Sequence, residues 1–423
     1  MDLKTMSKEA LTARAAELRC EYEKFQQMHL NLNMARGKPA TEQLALSDGL
    51  LDALKPGDAM QGVDKMEVRN YGLLTGMTEI KQLFADLLGV EVQNVLVGGG
   101  SSLNLMFDYI SQCMTHGVCG GKPWFGQPIK FLCPVPGYDR HFGILEYFGI
   151  EMVLVEMTEN GPDMDAIETL VKDPAVKGMF CVPKYSNPGG VTFSDETVDR
   201  IARLQPAAED FRIIWDNAYA IHDVSDTPDA LKEIFSACKP YGTEDHIIEV
   251  ASFAKVTYPG SCISCIVASE NNLAQIEKRL SFQTINFDKV NQMRHLNFFK
   301  TADAVRAHMA KQAQILRPKF DVVLQGLERN LTGKGIAEWT TPNGGYFVSL
   351  DVMDGCAKRV VALCKDAGMI MTGAGATYPY KKDPRDRNIR IAPTFPTVEE
   401  LKQAIEVLCV CVELACTEKL LEQ

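Results

Sequence analysis

The sequence predicts an α/β fold: a large domain with a mostly parallel seven-stranded sheet flanked by helices, plus a smaller α/β domain. Three observations predict it. Seven short apolar runs, β-branched-rich and bounded by Gly, Pro, Asn or Asp, recur between residues 94 and 268 and alternate with helical stretches. Beyond about residue 290 the pattern turns to long helical periodicity. Finally, 423 residues exceed what one compact core holds, so two domains are expected.

Leu11, Ala15, Leu18, Tyr22 and Phe25 recur at helical spacing, so an amphipathic helix opens the chain. The irregular stretch NMARGKP follows at 33–39. Residues 1–60 are expected to pack with the small domain. The large domain, 61–295, takes its strands from NVLV at 94, IKFLC at 129, MVLV at 152, GMFCV at 178, FRIIW at 211, IIEVA at 247 and ISCIV at 263. Residues 296–423 supply an interdomain helix through HLNFFKTADAVRAHMAKQAQILRPKFDVVLQGLERNL and a small C-terminal domain. That domain has a strand in GGYFVSLDV at 344 and a final helix in TVEELKQAIEVLCVCVELACTEKL.

Lys and Arg total 44 against 55 Asp and Glu, a net charge of −11. A nucleic-acid partner is not expected, because neutralising phosphates needs a basic surface. No apolar stretch is long enough to span a bilayer, and the N-terminus lacks a signal-peptide core. The 13 cysteines are scattered, and no metal site is expected. Cys262 and Cys265 are spaced CxxC, but inside the apolar run GSCISCIVA they read as small buried strand residues. Free thiols in this number point to a reducing compartment, so a cytoplasmic location is expected.

In an open α/β sheet, ligands sit beyond the carboxyl ends of the strands. After NVLV comes GGGSSLNL, a Gly-rich turn opening a helix, where Gly100, Ser101 and Ser102 could cradle a phosphate. The turn is neither a Rossmann fingerprint nor a P-loop. After the next strands come Tyr138, an aromatic able to lie on a planar cofactor, then Asn187, then Asp216 with Tyr219, then Lys255. Taken singly, Asp216 also reads as a helix N-cap, Asn187 as a turn residue and Lys255 as a solvated loop lysine. Together they form the set that pyridoxal phosphate needs. The lysine supplies the amine, the carboxylate keeps the pyridine nitrogen protonated, and Asn187 and Tyr219 can hydrogen-bond the phenolic oxygen.

The ordered motifs NYGLLTGMTEIK, GGGSSLNL, PGYDRH, SNPGG, DNAYA, SFAK, PNGGYF and RNIRIAPTF resemble the fold-type I pyridoxal-phosphate aminotransferases of class I/II. LNMARGKP, YGLLTG and GGGSSLNLMFD are most similar to the bacterial type Ic aspartate aminotransferase subgroup. The resemblance implies that Lys255 is the Schiff-base lysine and proton shuttle, with Asp216 on the pyridinium and Tyr138 on the ring. It places His141 beside Asp216, and Gly100, Ser101, Ser102 and Ser252 on the phosphate. It brings Tyr71 to the phosphate of a neighbouring subunit, hence a homodimer with shared active sites, and puts Arg390 and Gly37 on the substrate α-carboxylate. The implied reaction is ping-pong transamination from an amino acid, aspartate or glutamate, to a 2-oxo acid, 2-oxoglutarate.

Two departures stand out. The family's phosphate arginine is replaced by Cys262 or Ile263, leaving Ser261 and the backbone, or Lys184, to substitute. The arginine for the substrate side chain has no counterpart, and Arg140, then Lys38, are the candidates. A lyase of the same fold and an aromatic or kynurenine aminotransferase are the alternatives. The aminotransferase-like effector domain of transcription regulators is not expected, since only one helix precedes the resemblance.

Overall fold

The computed structural model describes residues 2–423. Among them the strands are β1 (Leu32–Asn33), β2 (Val95–Val97), β3 (Lys130–Val135), β4 (Glu151–Thr158), β5 (Gly161–Pro162), β6 (Val176–Cys181), β7 (Arg212–Asp216), β8 (Ile247–Ser252), β9 (Ser264–Ala268), β10 (Ala337–Trp339), β11 (Val348–Val352), β12 (Met369–Ile370) and β13 (Asn388–Ile391).

The main sheet has the order β2-β9-β8-β7-β6-β3-β4-β5. All seven apolar runs are strands in it. The eighth, β5, is a two-residue edge strand antiparallel to β4, too short to leave a periodicity signal. From β4 through β3, β6 and β7 to β8 the neighbours run parallel. Only β9, among the long strands, is antiparallel to its neighbours, β8 and β2. β7 and β9 are buried at every position, which is why these runs are largely apolar rather than alternating, with Arg212 and Asp216 buried at the two ends of β7.

Successive residues of each strand feed opposite faces. Leu132, Met179, Ile213 and Ile247 pack on one side with Phe84 and Phe253. Phe131, Phe180, Ile214 and Ile248 pack on the other with Leu105 and Tyr109. A third packing centre gathers Leu11, Leu18, Leu32 and Met34 with Phe320, Leu350, Ile391 and Leu408. It contains the antiparallel sheet β10-β11-β13.

The opening helix, Lys8–Gln27, starts at an N-cap where Ser7 Oγ accepts from Ala10 N–H at 3.3 Å. Arg14 forks onto Glu413 of the final helix, Val398–Leu421, at 2.8 and 3.0 Å. β1 pairs in parallel with β12. Thr372 Oγ1 donates to the Ala35 carbonyl at 2.5 Å, and Thr394 Oγ1 to that of Lys38 at 3.0 Å. The segment 35–38 is thereby fixed to the third packing centre.

The long helix expected from residue 295 onward is two helices, Lys289–Phe299 and Ala302–Leu331. Lys300, at φ 63°, ends the first, and the Thr301 side chain caps the second. The second begins against the main sheet with Ala302, Val305 and Met309, and ends in the third centre with Leu316, Phe320 and Leu327.

Among the described residues, no helix is long and apolar enough to cross a membrane. No group of three or more His, Cys, Asp or Glu side chains is placed to hold a metal ion. All thirteen cysteines are free. Cys265 is buried within β9, whereas Cys262 closes the turn ahead of it rather than lying in the strand.

Candidate active site

β7 ends at Asp216, and β8 runs through Ser252 into the turn that carries Lys255. That turn closes on itself through Val256 N–H donating to the Phe253 carbonyl at 3.0 Å. A cavity of about 250 Å³ opens there, lined by Lys255, Asp216, Tyr138, Asn187, Tyr219 and Ser102, with Arg36, Gly37, Asp139, Arg140 and Arg390 among the rest of the wall.

Lys255 Nζ lies 5.0 Å from the Tyr219 ring centroid and 5.7 Å from that of Tyr346. Burial pulls its pKa below that of an ordinary lysine, opposed by the negative Asp216. A buried amine depressed in this way is a better nucleophile and base near neutrality. Asp216 is 3% exposed. Its Oδ2 accepts from His141 Nε2 at 3.0 Å, and His141 is itself stacked on Phe180 at 4.3 Å. The second oxygen, Oδ1, is buried with no protein donor.

Tyr138 sits at the N-cap of the helix Asp139–Tyr147, edge-on to His141 at 5.0 Å. Burial pushes its phenol up to about 12, and that of Tyr219 well above the usual tyrosine value, so both are neutral donors at physiological pH. Asn187 is buried, and its Oδ1 accepts from Arg390 Nη1 at 3.3 Å, which leaves its amide N–H groups to donate.

Arg390 projects from β13. Its Nη1 also donates to Asp139 Oδ1 at 2.8 Å, and Nη2 to Thr372 Oγ1 at 3.4 Å. Its Nε is buried without a partner, and the guanidinium lies 4.8 Å over the Phe347 ring. Phe347 also explains Gly37. A Cβ there would stand 2.6 Å from Phe347 Cζ, so only glycine fits.

The structure gathers Lys255, Asp216, Tyr138, Asn187, Tyr219, Ser102, Gly37, Arg140 and Arg390 around one cavity. Gly100, Ser101 and Ser252 lie outside its immediate lining, although Ser101 caps the helix Ser102–His116, whose N-terminus faces the site. Lys38 does not line the cavity. It is exposed, with Nζ 3.7 Å above the Phe395 ring, a cation–π contact that draws it away. Tyr71 is 72% exposed and lies off the cavity, on a turn whose Asn70 and Gly72 carbonyls accept from the buried Lys289 ammonium at 2.7 and 2.8 Å.

The two substitutes for the missing phosphate arginine are engaged elsewhere. Lys184 pairs with Asp223 at 2.9 Å, and Ser261 donates to Asn291 at 3.1 Å. At the position of the missing arginine, the Cys262 thiol donates to the Gly100 carbonyl.

Arg36 and Asp139 were not singled out from the sequence, yet both line the cavity. Their only local signals are adjacency to Gly37 and to Tyr138. Neither Arg36 nor Arg140 has an ion-pair partner among the described residues, in contrast to Arg390.

These residues fit pyridoxal phosphate. Asp216 Oδ1 is an acceptor without a donor, as a ring N–H requires, and Lys255 offers an amine that no protein group holds. Aminotransferases of this fold use that cofactor.

The sequence profile of the family described as aspartate amino-transferase matches residues 6–423. An aspartate aminotransferase of Corynebacterium glutamicum is 44% identical over 95% of this chain and 93% of its own length. A crystal structure of an aspartate transaminase from Corynebacterium glutamicum superposes with a TM-score of 0.97 at 42% identity, covering 99% of each chain. The α-aminoadipate aminotransferase of Thermus thermophilus, solved with N-(5'-phosphopyridoxyl)-L-leucine, shares the fold at 18% identity and a TM-score of 0.75, over 97% of this chain and 99% of its own. The chain belongs to the aspartate amino-transferase family and is an aminotransferase of the pyridoxal-phosphate fold-type I.

Proposed function

We propose that this aminotransferase moves the amino group of a dicarboxylic amino acid, aspartate foremost, to 2-oxoglutarate, with pyridoxal phosphate held in the Lys255 cavity. The observation that carries this reading is the charge around the cavity mouth. Arg36, Arg140 and Arg390 line the cavity with Lys255, against Asp139 and Asp216. A donor with two carboxylates matches that positive excess better than a neutral amino acid does. The name of the Corynebacterium relative supports aspartate.

When bound, pyridoxal phosphate supplies an aldehyde carbon that takes up the amino group and a ring that accepts the electrons released at the substrate Cα. Lys255 holds the group between turnovers and, as the free amine, takes the proton from Cα and delivers it across the cavity. Asp216, oriented by His141, keeps the ring nitrogen protonated. Asn187 and Tyr219 would donate to the cofactor's phenolic oxygen, and Tyr138 would pack on its ring. Gly100, Ser101, Ser102 and Ser252, with the dipole of the helix Ser102–His116, hold the phosphate.

Arg390 takes the α-carboxylate, with the Gly37 backbone alongside. Arg140 takes the side-chain carboxylate together with Arg36, which replaces Lys38 in that role. The two half-reactions share the cavity, the first oxo acid leaving before the second enters. Tyr71, exposed on its tethered turn, supports a homodimer in which it reaches the partner's phosphate. The free cysteines support a cytoplasmic location.

A donor panel at fixed 2-oxoglutarate tests the reading. Aspartate should give the highest kcat/KM, with glutamate next. A phenylalanine or kynurenine optimum overturns it.

A further inference from the structure

Arg390 already holds a carboxylate. Its Nη1 donates to Asp139 Oδ1 at 2.8 Å, with the arginine side chain 7% exposed and the aspartate 36%. The two residues belong to opposite walls. Arg390 is on β13 in the third packing centre, and Asp139 opens the helix that follows Tyr138 beside the main sheet. Nη2 reaches only Thr372 at 3.4 Å, and Nε has no partner. The guanidinium is therefore neutralised at one corner, while along its other edge the buried Nε lacks a partner and Nη2 makes only the long contact to Thr372.

We infer that Asp139 is a resident counter-carboxylate for Arg390, so that substrate binding is an exchange of one carboxylate for another and Asp139 sets the affinity of the site. This rests on the reading of Arg390 as the α-carboxylate site. An incoming α-carboxylate can offer two oxygens in the plane of the guanidinium, whereas Asp139 offers one at Nη1. The substrate wins the exchange through that second hydrogen bond, and through Arg36 and Arg140 when it carries a second carboxylate. A monatomic anion such as chloride has neither advantage and is held off. Until it is displaced, the negative Asp139 also lowers the attraction of the cavity for an incoming carboxylate.

Asp139→Asn tests this in the holoenzyme. Asparagine keeps the shape and can still accept from Nη1 through its amide oxygen, but it removes the charge. The KM for aspartate and the Kd of succinate, a dicarboxylate that cannot react, measured by calorimetry, should both fall about tenfold, the equivalent of about 1.4 kcal/mol. The change should fall on KM and on the succinate Kd rather than on kcat. The half-exposed position leaves folding intact, which circular dichroism checks. Values of KM and Kd that are unchanged or higher overturn the inference, since Asp139 would then only orient Arg390.

Arg390→Gln separates the two claims. It should raise the KM for aspartate about a hundredfold. If it does not, the reading of Arg390 fails. If it does, and Asp139→Asn fails to tighten binding, only the exchange fails.

Discussion

Asp216 Oδ2 accepts from His141 Nε2 at 3.0 Å, while Oδ1 of the same carboxylate is buried without a protein donor. One oxygen is used to fix the ring of His141 against Phe180, and the other is left to a ligand. Asp216→Ala should cut kcat/KM for aspartate by about 10²–10³ or more, the cost typical of removing one preorganised electrostatic stabiliser. His141→Phe, which keeps the stack but loses the hydrogen bond, should cost less. Steady-state kinetics check both, and a larger loss for His141→Phe would reject this division of roles.

Among the described residues the Lys255 Nζ has no hydrogen-bond partner, and it lies near the rings of Tyr219 and Tyr346. Lys255→Ala should abolish turnover, and dialysis should strip the visible absorbance of protein-linked pyridoxal phosphate from the variant but not from the parent. Turnover near that of the parent would reject lysine as the acid–base group.

Arg36 and Arg140 stand unpaired on the cavity wall. Replacing either with Ala should reduce kcat/KM for aspartate by about 10–100-fold, as for a charge-assisted hydrogen bond, and that for alanine by far less. Equal losses on both donors would assign these arginines to something other than the second carboxylate.

Glu249, on β8, is 3% exposed and accepts from Asn217 Nδ2 at 2.8 Å. Burial raises its pKa from 4.5 to about 8. The folded protein therefore holds a proton that the unfolded chain releases, so this group's stabilisation is complete below pH 4.5 and is lost as pH rises through about 8. Glu249→Gln keeps the acceptor for Asn217 and removes the titration. Its melting temperature should exceed that of the parent by about 2–4 °C at pH 8.5 and by much less near pH 4.5. Scanning calorimetry at the two pH values decides.

The sheet is legible because β7, β9 and their neighbours are buried on both faces, which writes each strand as a mostly apolar run, interrupted by such buried charged residues as Arg212 and Glu249. β5 is not, because two residues carry no period. The break at Lys300 is signalled only by the Thr301 cap, which a continuous apolar stripe on either side obscures. Lys255, Asp216, Tyr138 and Asn187 can be found because each follows a strand end, where such a fold puts its chemistry.

Asp139 and Arg36 escape notice because their surroundings are assembled at long range. Asp139 meets Arg390 across 251 residues, and no local pattern encodes that encounter. Lys38 misleads for the same reason. Its neighbour Phe395, arriving from the far end of the chain, holds the ammonium off the cavity.

The stitching of residues 35–38 to Thr372 and Thr394 ties Arg36 to the packing centre that carries Arg390, while Tyr138 and Arg140 follow β3 and Lys255 follows β8. Any motion of that centre against the main sheet would leave the spacing of the first pair nearly constant and alter the gap to Arg140, which would let one cavity seat both the four-carbon donor and the five-carbon acceptor of the proposed reaction.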